Sequence, residues 1–277
     1  MRTDYHCHST ASDGALTPEQ LVARAARNGV TDLALTDHDQ LSGLMIARDC
    51  AQKAGIRFVD GVEVSCSWRG MSVHIVGLNI DVHNAALIEG LATNAGGRAK
   101  RAVVMAQALE EVGVKNVLER ALAEAGGRMD LLARTHFARV MVADKKVESV
   151  RHVFQNYLVE GKPGFVAHEW ASIEQALNWI NGAGGVAVLA HPGRYPHDEA
   201  SERELVAEFV GLGGQAIEVI TGAHSKKQIR HYAQMCLDLN LHASSGSDFH
   251  GVGESKMDIG RAPHLPAGLK PVQQLWA

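Results

Sequence analysis

Most of this chain alternates short apolar runs with helical segments, and nearly every apolar run ends in a histidine or a carboxylate. Apolar runs of four to eight residues between helix signals read as parallel strands covered on both faces. Strands so spaced leave two architectures, an α/β barrel or a doubly wound sheet. The helix starts are well marked. Thr17-Pro18-Glu19-Gln20, Ser172-Ile173-Glu174-Gln175 and Ser225 with Gln228 each place a Ser or Thr three residues before glutamine, so cap and third residue satisfy each other's backbone N–H. Ser201 with Glu204 predicts another start. The expected strands are a segment around Tyr5–His8, then 32–36, 57–65, 72–78, 186–190, 215–220 and 241–245. That makes seven, with no hairpin signal to demand antiparallel pairing.

The polar residues choose between the two architectures. His6/His8, Asp37/His38, Glu63, His191 and Asp248/His250 stand at or just after the ends of separate strands, and His74 lies inside another. An open sheet spreads such ends along a line, whereas a barrel gathers them into one ring. In a strand, His6 and His8 share a face while Cys7 points away toward the core. Glu63 and His74 sit in apolar strands, where an unpaired charge is costly, and a metal satisfies both. With Asp13 the set comprises six histidines and three carboxylates. That is too many for one tetrahedral ion and suits two or three, with Glu63 able to bridge. Nitrogen and oxygen donors without thiolate favour manganese, iron or zinc.

Between residues 84 and 165 the alternation stops, and helical patterns follow one another, broken at Gly96-Gly97, Gly113, Gly126-Gly127 and 161–164. We expect an all-helical insertion, 84–165, over the mouth of a barrel formed by 1–83 and 166–277. The insertion holds 12 Lys and Arg against 9 Asp and Glu, in a chain of formal charge −4. It is therefore the cationic part. The overall negative charge argues against bulk binding to duplex nucleic acid, which needs many phosphate contacts. Cys7, Cys50, Cys66 and Cys236 form no C-x-x-C pair, so they read as packing residues in a reducing compartment. No apolar stretch reaches membrane-span length and no signal-peptide region precedes the first strand, so the expected location is cytoplasmic. No obligate protein partner is expected.

Taken as a set, His6-Cys7-His8-Ser9 with Asp13-Gly14, Thr36-Asp37-His38, Gly61-Val62-Glu63, His74, Ala190-His191-Pro192 and Gly246-Ser247-Asp248-Phe249-His250 resemble the PHP (polymerase and histidinol phosphatase) family. The resemblance implies a distorted seven-stranded barrel with a trinuclear metal site. It assigns one ion to His6, His8, Glu63 and Asp248, a second to Glu63, His74 and His191, and a third to Asp13, His38 and His250. Within the family, Arg134-Thr135-His136-Phe137-Ala138-Arg139 and Gly161-Lys162-Pro163-Gly164 are most similar to the bacterial branch that includes 3′,5′-nucleoside bisphosphate phosphatases and the 5′-to-3′ exonuclease ribonuclease AM. That narrower likeness suggests phosphate contacts from Arg134, Thr135, Lys162 and Arg194, with His136 worth testing beside them.

The implied reaction is hydrolysis of a phosphate ester by a metal-activated hydroxide, with two or three divalent ions, manganese first and Fe2+ or Zn2+ as alternatives. The expected substrate is a nucleotide such as adenosine 3′,5′-bisphosphate, with short 5′-phosphorylated RNA as a further one. Histidinol phosphatase is the main alternative, although histidinol phosphate offers a cationic insertion no second phosphate. Amide or lactone hydrolysis would fit the ligands but leave the insertion without a purpose. A non-catalytic nucleic-acid-binding module fits neither the complete ligand set nor the net charge.

Overall fold

The computed structural model describes residues 2–145, 147–195 and 198–276. The chain divides into two compact units, Met1–Leu91 with Trp170–Ala277, and Ala92–Glu169.

In the first unit a single sheet carries β1 (Thr3–Asp4), β2 (Asp32–Leu35), β3 (Arg57–Trp68), β4 (Met71–Leu78), β5 (Ala171–Ser172), β6 (Val186–Leu189), β7 (Ala216–Ile220), β8 (His242–Ser245) and β9 (Lys270–Pro271). The order is β1-β2-β3-β4-β6-β7-β8-β9, with β5 beside β3. The sheet curls. Tyr5 N–H reaches Ser245 O at 3.1 Å, Asp248 N–H reaches His6 O at 2.8 Å and His8 N–H reaches Phe249 O at 2.9 Å, linking the chain after β1 to the chain after β8. The strand count exceeds the expected seven because two-residue pieces such as β5 and β9 are too short to leave a pattern in the sequence.

Helices α1 (Pro18–Arg27), α2 (Leu44–Lys53), α7 (Ile173–Gly182), α8 (Glu199–Gly211) and α9 (Lys226–Asp238) cover the sheet. The capping boxes at Thr17, Ser172 and Ser225 are all formed. The start expected at Ser201 falls elsewhere: Asp198 caps α8 by accepting from Ser201 N–H, since a carboxylate three residues earlier offers the stronger acceptor. Alternation within β6 separates two cores. Ala187 and Leu189 pack with Ile173, Leu177 and Ile180 of α7, whereas Val186, Val188 and Ala190 join Tyr5, Val76 and Leu78 on the other face. Burial on both faces explains the continuous apolar text of these strands.

Two expectations about the sheet are corrected. His6 and His8 do not lie in a strand. β1 ends at Asp4, and only Cys7 makes a bridge, to Phe249. Gly246 packs closely against His6 there. The sheet also contains a hairpin. β3 and β4 pair antiparallel through a two-residue turn at Arg69 (φ 47°) and Gly70 (φ 80°), and β4 is antiparallel to β6 as well. Positive φ at both central residues is the geometry of a type I′ turn, which matches strand twist. Arginine at the first of them hid the signal.

The second unit contains the rest of α3 (Ala85–Glu111), then α4 (Val117–Glu124), α5 (Arg134–Ala143), α6 (Val150–Val153) and a π-helical turn at Phe154–Leu158. It has its own core, including Met105, Leu109, Phe137, Met141, Val153 and Leu158. The break expected at Gly96-Gly97 does not occur; α3 runs through it. Gly97 serves another need there, because a Cβ would come within 2.4 Å of His168 Nε2.

Gly246 packs tightly beside the H-x-H segment, where an added Cβ would lie 2.3 Å from His6 Cβ and 2.7 Å from His6 N. Gly246→Ala is therefore expected to destabilise the first unit by about 1–3 kcal/mol, the usual penalty of overpacking. Thermal unfolding checks this, and an unchanged midpoint would mean the segment relaxes freely.

Candidate metal centre

Glu63 is the centre of the site. It is fully buried in β3, and burial pushes its carboxyl up, yet His38, His74, His6 and His191 outweigh burial and hold it well below the usual carboxylate range. Oε1 lies 2.7 Å from His74 Nδ1 and 2.9 Å from His191 Nε2. Oε2 lies 3.2 Å from His6 Nε2, 3.2 Å from His8 Nε2 and 3.0 Å from His38 Nδ1. Asp248 Oδ1 faces His6 Nε2 at 3.7 Å and His8 Nε2 at 3.5 Å, while Oδ2 accepts from Arg194 at 2.6 Å. Asp13 Oδ1 is 3.4 Å from His250 Nε2 and 3.9 Å from His38 Nε2.

All nine expected donors thus converge, grouped as His8/Asp13/His38/His250, His6/His8/Asp248, His6/Glu63/His191 and His38/Glu63/His74. His6 Nε2, His8 Nε2, Glu63 Oε2 and Asp248 Oδ1 are buried, face one another, and make no hydrogen bond. Buried polar atoms normally find a partner. Atoms of this kind, converging at these separations, fit divalent cations. Burial pushes His38 down to about 4, and burial with the Arg194 charge pushes His191 to about 3, so both offer lone pairs. His8 is also buried, but Asp248 and Glu63 lift it to about 9. A cation entering such a site releases that proton.

Local structure explains the convergence. Asp39 (φ 51°), His191 (φ 29°) and Asp248 (φ 54°) adopt left-handed backbone just beyond strand ends. Such conformations cost of order 1–3 kcal/mol each and persist where surroundings fix them. Asp39 accepts from Ser65 N–H at 2.9 Å, which braces β3 beside Glu63. His74 joins from mid-strand because β4 runs antiparallel, so its early residues lie level with the late residues of β3, Ser65 opposite His74. Tyr195 Oη accepts from His74 N–H and donates to Ala190 O, both at 2.8 Å.

Two buried acids support the site; Asp4 escaped the sequence, and Asp37 was noted there only beside His38. Asp4 accepts from Ser247 N–H at 2.8 Å and Gly260 N–H at 2.7 Å. Asp37 accepts from Ser9 N–H and from the hydroxyls of Ser9 and Ser12 at 2.6–2.7 Å. Both are buried acids, pushed up to about 6 by burial. A carboxylate in a strand or loop carries no mark in the sequence of which N–H groups it will meet.

Of the expected phosphate contacts, Arg194 lies at this site, half exposed. The others belong to the second unit. Thr135 is buried in the first turn of α5, Lys162 is exposed, and His136 is buried with its Nδ1 accepting from Ala133 N–H at 3.1 Å. His136 thereby acts as a helix cap. Arg134 places its guanidinium 5.4 Å over the Phe154 ring. Arg98, Arg101 and His168 were not singled out in the sequence. Arg98 is buried, and Arg101 is pushed down to about 9 by burial and by the charges of Arg134 and Arg98. Burial with Arg101 and Arg98 lowers His168 as well. The text Gly96-Gly97-Arg98-Ala99-Lys100-Arg101 held a usable sign, two arginines three apart on one helical face.

Comparison with known proteins places these features in context. The model of the PHP domain family matches residues 4–164. The 3′,5′-nucleoside bisphosphate phosphatase of Chromobacterium violaceum is 45% identical over 269 residues, 97% of this chain and 94% of that protein. The 5′-3′ exoribonuclease Rnm of Escherichia coli is 42% identical over 277 residues, 99% and 93% of the respective chains. A solved structure of an amidohydrolase from Chromobacterium violaceum, with bound sulfate and no metal, superposes with a TM-score of 0.95 at 44% identity, covering 99% and 96%. Among the described residues no helix is long and apolar enough to cross a membrane. All four cysteines are free thiols.

Divalent cations should stabilise the fold, because the native state gathers donors that the unfolded chain scatters. Adding Mn2+ to metal-free protein is expected to raise the unfolding midpoint, equivalent to about 2.7 kcal/mol at a hundred-fold excess over Kd. Asp248→Asn should sharply reduce that rise. A midpoint indifferent to Mn2+ in the wild type would rule out a metal centre.

Proposed function

The chain belongs to the PHP domain family, and from that premise we propose that it removes the 3′-phosphate of nucleoside 3′,5′-bisphosphates to leave 5′-monophosphates. It is a metal-dependent hydrolase acting on phosphate esters. The observation that carries the reading is the buried Glu63 carboxylate ringed by five imidazoles. We further propose 5′-to-3′ shortening of 5′-phosphorylated RNA, supported by identity along the whole chain to the Escherichia coli exoribonuclease.

His6, His8, Asp13, His38, Glu63, His74, His191, Asp248 and His250 would hold two or three divalent ions, Mn2+ first, with Fe2+ or Zn2+ as alternatives. When bound, such ions acidify water to near-neutral pKa and neutralise phosphoryl oxygens. The chain's own residues supply the rest. Glu63 and Asp248 stay ionised against burial, so these two carboxylates keep their negative charge across the neutral range. Arg194 keeps one N–H on Asp248, and its half-exposed guanidinium has donors left for a phosphate oxygen. His38, His74 and His250 are the partly exposed histidines of the set, which makes their edge the approach for substrate.

In the second unit we propose Arg134, Thr135 and Lys162 as phosphate contacts, with Arg98 and Arg101 added; His136 serves as the cap of α5. Support comes from Arg101, which burial and the charges of Arg134 and Arg98 push down to about 9. Histidinol phosphate brings no second phosphate for such a cluster, so the histidinol phosphatase alternative is set aside.

The deciding experiment is phosphate release by Mn2+-loaded protein from adenosine 3′,5′-bisphosphate, beside 5′-AMP, histidinol phosphate and a 5′-phosphorylated RNA oligomer. Preference for the bisphosphate with 5′-AMP as product is expected; turnover of histidinol phosphate in preference would overturn the substrate assignment. Arg134→Ala should raise KM for the bisphosphate about ten-fold or more, as befits a charge-assisted hydrogen bond of about 1.5–3 kcal/mol, and leave a monophosphate nearly unaffected. Equal losses for both substrates would remove Arg134 from the phosphate site.

A further inference from the structure

Glu218 lies in β7 within the run Gln215-Ala216-Ile217-Glu218-Val219-Ile220, is 2% exposed, and has no place in the donor set described above. Both of its oxygens are committed. Oε1 is 2.8 Å from His6 Nδ1, and Oε2 accepts from the backbone N–H of His191 at 2.7 Å. An ionised carboxylate is an acceptor only, so the proton of that first bond sits on His6 Nδ1. The second nitrogen of the same ring, Nε2, is the one that faces Glu63 Oε2 and Asp248 Oδ1. The other oxygen acts on a residue whose φ is +29°, a backbone conformation that a non-glycine residue holds only when its surroundings fix it. His191 in turn points Nε2 at Glu63 Oε1.

We propose that Glu218 is a positioning residue for the metal centre: one carboxylate sets the tautomer and ring orientation of His6 and pins the backbone turn that presents His191. This rests on the reading of the cluster as a metal site and extends it to a residue outside the donors. The geometry is economical because His6 follows β1 and His191 follows β6, so one side chain from β7 fixes two groups that the sequence separates by 185 positions. The arrangement also accounts for a charged residue in a fully buried strand, which burial alone would penalise. Carboxylates that hold the far nitrogen of a metal-binding histidine typically support metal affinity by about 10–100-fold.

Glu218→Gln keeps the volume but offers one acceptor and one amide donor, so it can accept from His6 Nδ1 or from His191 N–H and not from both. The test is Mn2+ titration of metal-free protein by calorimetry, wild type beside Glu218→Gln, with the thermal midpoint of each metal-free protein measured in parallel. The expected result is about 10–100-fold weaker Mn2+ binding by the variant, measured below its own unfolding midpoint. Wild-type affinity in a folded variant overturns the proposal, whatever happens to the midpoint, whereas failure of the wild type to bind Mn2+ overturns the metal site itself. Should the variant not fold, the Zn2+-loaded wild type decides by imidazole nitrogen NMR. His6 must then show a protonated, exchange-protected Nδ1 and a metal-shifted Nε2, and the reverse assignment sinks the proposal.

Discussion

The structure of the first unit depends on keeping one buried carboxylate charged. Glu63 has no exposure to water, and burial by itself would favour its neutral form. Five imidazole nitrogens within 3.2 Å reverse that preference. They come from four parts of the chain: His6 and His8 from beyond β1, His38 from beyond β2, His74 from β4 and His191 from beyond β6. The curled sheet is what allows four such segments to meet around one point, and the point in turn ties their loops together. Removing an interaction of this kind leaves a charge buried and unpaired, which is far more costly than losing a surface contact.

The next layer of acids does related work on the backbone. Asp4, Asp37 and Glu218 receive backbone N–H groups from loops that carry donors, and Asp39 receives one from β3 beside Glu63. Helices alone would leave those loops loose, since loop backbone lacks the ladder that secures strands. Left-handed residues at Asp39, His191 and Asp248 are sustained by these bonds rather than by glycine. The centre is therefore rigid because its loops are hydrogen-bonded inward, and rigidity at about the half-ångström level is what a polynuclear site demands.

How much of this was legible in the sequence follows from the range of each interaction. Capping boxes at Thr17, Ser172 and Ser225 act across three residues and were read correctly. Donors at strand ends were legible because parallel strands in a curled sheet bring like ends together, whatever the intervening sequence. His74 looked anomalous within its strand only because the Arg69-Gly70 turn went unread; once β4 is reversed, His74 stands level with the end of β3. Gly96-Gly97 was misread as a break because glycine's low helix propensity is a local argument, and packing of His168 against Gly97 overrides it. Glu218 carried the same warning as Glu63, a carboxylate in apolar text, yet its partners lie too far along the chain to name.

Charge gives the two units a common logic. The first gathers carboxylates and imidazoles whose buried lone pairs require cations. The second gathers Arg98, Arg101, Arg134 and His168, and the price is visible in Arg101, whose proton is held less firmly than that of a free guanidinium. Proteins tolerate crowding of like charge where a ligand of opposite sign relieves it. Within the first unit, a phosphate ester can meet a cation held by those carboxylates. Amide or lactone hydrolysis would fit the donors of the first unit but leave the cationic cluster of the second without a purpose.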